Sequence, residues 1–254
     1  MNQSMQIRSA LTGEQLPSLS TAWIQSVVAS QSSAPPSART LPALVATTKA
    51  QLLGSDWAAP GLFDGSPPGF PQQLLSSSAG SVQETRLPQD IIVQVLDIEN
   101  LSQSRWQQVQ ALEAIERGEQ KRGREIIRVT ADGDGGEETD SPSTGGGGTG
   151  APGRGAAGRT QAPPDTNATH RLVLQDVSGN KVFAVELVRI HRIGIGRLRI
   201  GEKLVLKAGT VAARGTLLLD PTSVKFLGGQ IEAMNSAWLK GRLQRLREAA
   251  QAEQ

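Results

Sequence analysis

The alternation of apolar and polar residues between His170 and Leu227 restricts the fold of this chain more than any other feature of its sequence. A period of two is typical of β-strands with one buried face. Four strands are predicted, with a bend at Ser178-Gly179-Asn180 between the first two and an interruption at Asp220-Pro221 in the last: His170–Asp176, Lys181–Leu187, Lys203–Val211, and Thr216–Leu219 continued by Ser223–Leu227.

An earlier segment, Asp90–Asn100, is apolar on both faces and predicts a strand that is covered on both sides. About five strands in roughly 100 ordered residues fit a small closed barrel of the OB type. Phe183 and Phe226 are expected to lie in its core. The predicted fold class is α+β, with a small helical N-terminal domain, a five-stranded OB-fold β-barrel carrying a long disordered insertion, and a C-terminal helix.

The insertion interrupts the barrel between its first and second strands, over about residues 101–169. Its later part, Ala131–Thr169, holds 11 Gly and 4 Pro in 39 residues and almost no large apolar side chain. Such a composition cannot bury enough surface to offset the entropy of ordering, so disorder is expected over 131–169. The earlier part has helical spacing around Trp106, followed by a short strand pattern at Glu125–Val129.

The N-terminal region has helical patterns at residues 17–31 and after Thr40, and Trp23 and Trp57 are expected to be core residues. A stretch rich in Pro, Gly and Ser follows and favours a linker or a surface connection. The predicted organisation is therefore 1–64 helical domain, 65–89 linker, 90–229 barrel and 230–254 C-terminal helix.

Composition limits the surroundings of the chain. Cysteine is absent, which excludes disulfides and thiolate metal sites. No apolar run approaches the ~20 residues that span a bilayer, so no membrane contact is expected. Residues 170–254 carry 14 basic and 7 acidic side chains. This excess predicts either a partner of negative potential, which would be nucleic acid or an acidic protein surface, or a solvated basic face.

Catalytic motifs are not found. The two histidines, His170 and His191, have no partner at metal-ligand or triad spacing, and GIGRLRIG lacks the dinucleotide-binding spacing. Asp97 and Glu99 follow a strand, and they are either a carboxylate pair or solvated strand-end acids. The chain is therefore predicted not to be an enzyme and to use no metal or cofactor. It also lacks tyrosine, which argues against tight stacking of single strands on the barrel.

Three segments resemble the RecQ-mediated genome instability protein 1 family in its short fungal form: LPQDIIVQVLDIENLSQSRWQQ, RLVLQDVSG and IGEKLVLKAGTVAARGTLLLDPTSVKFLGGQIEAM. The resemblance covers about residues 90–245 without the insertion, and extends more weakly to the N-terminal helices. It implies a nuclear, non-catalytic OB-fold subunit that binds topoisomerase III and supports a RecQ-family helicase. Such a subunit promotes decatenation and the dissolution of double Holliday junctions.

The resemblance also implies that the insertion reaches the gate of the topoisomerase. Arg105, Trp106 and the basic cluster Lys121, Arg122 and Arg124 are then the candidates for partner contact, and Lys203 matches a family position associated with partner binding. For Trp106, packing over the end of the barrel is the alternative. For the whole chain, the alternative is an autonomous OB-fold module that binds single-stranded nucleic acid. Weak contacts to the DNA backbone are compatible with either function.

Overall fold

The computed structural model describes residues 3–118 and 168–252, apart from 14–15, 33–34, 36, 38–39 and 77. The α-helices within these ranges are α1 Gln3–Thr12, α2 Thr21–Ser30, α3 Leu41–Gly54, α4 Gln72–Leu75, α5 Arg105–Glu116 and α6 Glu232–Gln251. The strands are β1 Thr85–Arg86, β2 Ile91–Asn100, β3 His170–Asp176, β4 Lys181–Glu186, β5 Lys203–Leu206, β6 Val211–Ala213, β7 Thr216–Leu219 and β8 Val224–Gly228. Outside the described residues lie Lys121, Arg122, Arg124, the expected strand Glu125–Val129 and the expected disordered tract up to residue 167.

Helices α1–α3 pack around one hydrophobic cluster in which Trp57 is the largest fully buried side chain. Its ring meets Phe63 edge-on, with 5.7 Å between the ring centroids. Trp57 is therefore a core residue as predicted, whereas Trp23 is only partly buried at the margin of the cluster. The first helix, α1, contributes the buried Ile7 and Leu11 and was not predicted. No helix in the described ranges is both long and apolar enough to cross a membrane.

The β-strands form one curled sheet in the order β1-β6-β7-β4-β3-β2-β5-β8. All neighbours are antiparallel except β4 and β7, which are parallel. Strands β5 and β6 follow one another in the chain through a short turn, yet β5 pairs with β2 while β6 pairs with β7. The sheet therefore curls until its two ends approach each other, which gives an OB-type barrel beside a helical unit and confirms the predicted fold class.

Two strand predictions were wrong in detail. The stretch 203–211 forms two strands, because the chain turns between Lys207 and Thr210. The expected last strand is also two strands that lie in different places, β7 beside β4 and β8 beside β5. Asp220 causes the separation, since its Oδ1 accepts from the amides of Thr222 (2.7 Å) and Ser223 (2.9 Å) and fixes a turn. A hydrogen bond from the Thr222 hydroxyl to Oδ1 lowers the pKa of the Asp220 carboxyl most, and the two amide hydrogen bonds lower it further.

The stretch expected to be a linker, 65–89, packs on the barrel at several points. Phe70, Leu74 and Leu87 are buried in the barrel core. The Phe70 amide donates to Asp176 Oδ2 at 2.9 Å, and the Leu87 amide donates to the carbonyl of Thr210 at 3.0 Å. The buried apolar residues of this stretch are far apart in the sequence, so no periodic pattern predicts that the stretch packs on the barrel.

The helical unit and the barrel meet tightly at Gly229. Its φ of +80° lies in the left-handed region, and a Cβ there would be 2.4 Å from the carbonyl oxygen of Leu53 in α3. Only glycine satisfies both conditions. The double glycine at the end of β8 thus brings α3 against the barrel before α6 begins.

Candidate partner-binding surface at the root of the insertion

The two ends of the insertion lie side by side, because β2 and β3 are antiparallel neighbours. The Leu101 amide donates to the carbonyl of Thr169 at 2.8 Å. In return, the Thr169 amide donates to Ser102 Oγ, also at 2.8 Å. The insertion therefore leaves and re-enters the barrel at one point, which we call its root.

Helix α5 begins at this root with a capping box. The Gln107 amide donates to Ser104 Oγ at 3.2 Å, and the Ser104 amide donates to Gln107 Oε1 at 3.0 Å. The buried Gln108 side chain then donates from Nε2 to the carbonyls of Asn100 (3.0 Å) and Gln103 (3.1 Å). The first turn of α5 is thereby fixed to the end of β2.

Glu99 joins α5 to the outer face of the barrel. Arg105 Nη2 lies 3.1 Å from Glu99 Oε1, and Arg171 pairs with Glu99 Oε2. The Arg171 guanidinium also lies 5.0 Å from the centre of the Phe183 ring. Glu99 is therefore bound to two arginines and is not a solvated acid. Arg105, a predicted partner-binding residue, has 26% of its side chain exposed and is engaged in holding α5.

The neighbouring acid, Asp97, binds different partners. Its Oδ1 accepts from Trp238 Nε1 at 2.5 Å and from the Ile98 amide at 2.9 Å. Asp97 thus anchors α6 to the barrel. The prediction that Asp97 and Glu99 act as a pair, or are both solvated, was wrong because each carboxylate has its own partners.

Helices α5 and α6 lie against each other beside these acids. Arg247 binds Glu113 Oε1 through Nη2 at 2.7 Å and Nε at 3.1 Å. The guanidiniums of Arg242 and Arg245 lie 5.9 Å and 5.4 Å from the Trp238 ring. A groove of about 190 Å³ remains between the two helices and strands β2 and β3.

Trp106 lies outside this framework. It is 42% exposed and belongs to neither hydrophobic cluster of the described residues. Contact with a partner and packing over the barrel end both stay predictions for Trp106.

The location predicted for Phe183 was wrong. It was expected in the core, yet it is 48% exposed on the outer face of β4, while Val182 and Ala184 on either side of it point inward. In KVFAVE both sets of alternate positions carry apolar residues, so the pattern did not reveal which set faces the core. Arg171 and Phe183 therefore extend the surface that starts at Trp106.

Lys203 requires a correction, because it is fully buried and cannot touch a partner directly. Its Nζ donates to Gln94 Oε1 at 3.1 Å and to the carbonyl of Gly201 at 2.6 Å, and it lies 5.5 Å from the Trp57 ring. Burial lowers the pKa of Lys203 to about 8, against the opposing effect of the Asp56 carboxylate. The location of Lys203 between the helical unit and the barrel gives it a structural role.

Gln94 is the centre of this joint. Its Nε2 donates to Asp56 Oδ1 (2.5 Å) and Gln175 Oε1 (2.9 Å), and its Oε1 accepts from the Trp57 amide at 3.0 Å. The fully buried Gln94 side chain therefore connects the helical unit, through Asp56 and Trp57, to strand β3 of the barrel, through Gln175. In the sequence, Gln94 is the single polar residue in the apolar run IIVQVL, and this was the only sign that it has a special role.

His170, the first residue of β3, is buried against Glu186, with Nδ1 2.8 Å from Glu186 Oε2. Burial alone would raise the pKa of Glu186, but hydrogen bonds from His170, the Ile190 amide and Arg189 hold it below its ordinary value. This cluster fixes the point at which the insertion returns. Among the residues that the structure describes, no three His, Asp or Glu side chains are grouped to hold a metal ion.

Comparison with known families accounts for both units. The model described as "RMI1, N-terminal OB-fold domain" matches residues 70–242, and the model described as "RMI1, N-terminal helical domain" matches residues 11–60. The chain belongs to the RMI1 family. The resemblance identified from the sequence is thereby confirmed.

Two relatives share the name "RecQ-mediated genome instability protein 1". The RMI1 protein of Schizosaccharomyces pombe is 25% identical over 158 residues, which cover 62% of this chain and 63% of the relative. The RMI1 protein of Xenopus laevis is 36% identical over 77 residues, which cover 30% of this chain and 14% of the relative. The matched part of this chain thus spans less than two thirds of either relative.

Proposed function

We propose that this RMI1-family chain is a non-catalytic cofactor of a complex between topoisomerase III and a RecQ-family helicase. In this function it binds the topoisomerase, promotes decatenation and the dissolution of double Holliday junctions, and maintains genome stability in the nucleus. Membership of the family and the names of the two relatives, which refer to RecQ and to genome instability, support the proposal.

The observation that carries the proposal is the exposed Trp106 on a helix that is fixed at the root of the insertion. Tryptophan and arginine are enriched among the residues that dominate binding energy at protein interfaces. A ring on a fixed helix also loses little conformational entropy when a partner covers it. The surface from Trp106 through Arg105 and Arg171 to Phe183 therefore has the composition of a protein-binding site.

A bound cofactor changes the opening of a topoisomerase gate only if it binds the open and closed forms with different free energies. A preference of about 1.4 kcal/mol shifts that equilibrium about tenfold. An insertion whose two ends are held at one root can supply this preference without any catalytic group. The barrel then serves as the rigid support for the contact.

The test replaces Trp106 by alanine in the full chain. The matched control is Leu41→Ala, because Leu41 is also an apolar side chain in the first turn of a helix and has a similar exposure of 38%. Binding of the Trp106→Ala chain to purified topoisomerase III should weaken at least tenfold, and stimulation of decatenation should fall with it. Equal behaviour of the two variants would remove Trp106 from the interface.

A second function is favoured by one observation, the exposed Phe183 beneath the Arg171 guanidinium. Phe183 lies on the second strand after the insertion, and the neighbouring strands β3 and β4 form the face on which OB folds bind oligonucleotides. The chain would then bind single strands without the topoisomerase. Loss of oligonucleotide binding by Phe183→Ala, with topoisomerase binding retained, would support this second function.

A further inference from the structure

Two adjoining pockets lie where α3 meets β8, away from the residues of the insertion root. One, of about 430 Å³, is lined by Ala50 and Gly54 of α3, by Gly228, and by three arginines of the β4–β5 connection: Arg192, Arg197 and Arg199. The other, of about 350 Å³, is lined by Lys49 and Leu53 of α3 and by Lys225, Phe226 and Leu227 of β8. Residues of the same two elements line both pockets, and Arg192 of the first lies against the Phe226 ring of the second, so we treat the two adjoining pockets as one groove.

We call the five cations of this groove the basic seam: Lys49, Arg192, Arg197, Arg199 and Lys225. Among the residues described as lining it, Glu202 is the only carboxylate, and its Oε1 is bound to Arg192 at 2.6 Å. Two further acids lie nearby. Asp90 accepts from Lys207 Nζ at 2.9 Å and from the Ala208 amide at 2.8 Å, and it also attracts the seam residue Lys225. The exposed Glu232 accepts from Gln230.

Two exposed arginines of the seam form hydrogen bonds with neutral oxygens. Arg197 donates to the carbonyl of His191 at 3.1 Å, and Arg199 donates to Gln230 Oε1 at 2.6 Å. A neutral acceptor orients a guanidinium without cancelling its charge. Both groups therefore keep their positive charge at the mouth of a concave surface, where a planar guanidinium fits a phosphate in a two-pronged contact.

An aromatic ring lies between the two pockets. Phe226 is partly buried, lines the second pocket, and has the Arg192 guanidinium 4.8 Å from its ring centre. Gly228 lines the first pocket and has open space where a Cβ would be, so that a backbone can approach closely there. Cations alternating with a ring along a groove are the features that bind single-stranded nucleic acids.

We propose that the basic seam binds the phosphate backbone of a single-stranded nucleic acid. A phosphodiester strand supplies one negative charge per nucleotide, which suits cations spaced along a groove, and its bases can stack against Phe226. An acidic protein segment is the weaker candidate, since the first pocket offers glycine, alanine and polar atoms and no large apolar surface. The site shares no residue with the surface around Trp106 and goes beyond the proposed topoisomerase function.

The test measures binding of a fluorescein-labelled oligothymidylate of about 20 nucleotides to the full chain by fluorescence anisotropy over a series of salt concentrations. The seam variant carries Arg197→Gln, Arg199→Gln and Lys225→Gln. The control variant carries Lys181→Gln, Arg214→Gln and Lys240→Gln, three exposed cations outside the seam, so that both variants have the same net charge. Thermal unfolding of both variants checks that they are folded.

For the seam variant we expect at least a tenfold loss of affinity, and a plot of log K against log salt whose slope is smaller by about 2, since each lost phosphate contact removes about 0.7. The control variant should keep most of the affinity, and both variants should bind topoisomerase III as the wild type does. Oligonucleotide binding thus tests the basic seam and topoisomerase III binding tests the proposed function, so that either hypothesis can fail without the other.

Three outcomes would overturn the proposal. The first is no binding by the wild type at low salt, or equal losses in the two variants. The second is loss of binding by Phe183→Ala with full binding by the seam variant, which would place the strand on β3 and β4. The third is displacement of the oligonucleotide by polyglutamate at equal charge concentration, which would identify an acidic protein as the occupant.

Discussion

Two regions of this molecule combine a tryptophan with nearby cations, and they use the combination in opposite ways. In the joint between the helical unit and the barrel, Trp57 and Lys203 are fully buried and every neighbouring polar group shown there has a partner. At the root of the insertion, Arg105 is engaged with Glu99, whereas Trp106 is 42% exposed and lies outside both hydrophobic clusters.

The difference shows that residue type does not decide between structure and recognition. Trp57 and Lys203 stabilise one arrangement of two units, so a change there should alter stability first and binding only as a consequence. Trp106 stabilises little, so a change there should alter binding alone. The free energy of unfolding therefore separates the two regions.

The largest loss is expected for Trp57→Ala. The substitution leaves a cavity, removes the hydrogen bond from Trp57 Nε1 to the carbonyl of Leu52 (2.9 Å) and removes the ring beside Lys203. We expect the free energy of unfolding to fall by about 3–5 kcal/mol, as measured by urea denaturation. A loss below about 1 kcal/mol would show that the joint does not stabilise the fold.

The next largest effect is the pH dependence that Lys203 confers. Its pKa is about 8 in the folded chain and 10.5 when unperturbed, so between these values the unfolded chain binds more protons. Stability contributed by this group therefore rises with pH across that window. Relative to Lys203→Met, the wild type should gain roughly 2–3 kcal/mol between pH 7 and pH 10.5. If the difference in the free energy of unfolding between the wild type and Lys203→Met did not change with pH, the lowered pKa of the buried Lys203 would be contradicted.

A smaller loss, of about 1 kcal/mol, is expected for Glu99→Gln, because this carboxylate holds two arginines at a partly exposed site. The control is Glu84→Gln, which removes one ion pair between two exposed side chains and should have almost no effect. Hydrogen exchange of the α5 amides should quicken only in the first variant. Unchanged exchange would mean that the capping box alone fixes α5.

The smallest change in stability is expected for Trp106→Ala. Replacement of an exposed side chain usually alters the free energy of unfolding by less than about 0.5 kcal/mol. Urea denaturation should give nearly the same midpoint as for the wild type, even though binding of topoisomerase III is expected to weaken at least tenfold. A loss of more than about 1 kcal/mol would place Trp106 with Trp57 as a structural residue.

The sequence was sufficient where a local pattern carries the information. The bounds of His170–Asp176 follow from alternation, and the helix around Trp106 follows from its helical spacing. The joint could not be predicted, because Gln94, Trp57 and Lys203 meet only after the sheet has closed. The exposed face of Phe183 was also missed, since β4 is apolar at both sets of alternate positions and periodicity cannot choose between them.

The paired amides at Leu101 and Thr169 also bear on how the chain responds to proteolysis. The strands on either side of the insertion, β2 and β3, pair directly with each other, as the strands of a hairpin do. If a protease cut the chain within the insertion, the two fragments would stay together. Each fragment contributes strands that pair across the cut, β2 to β3 and β2 to β5.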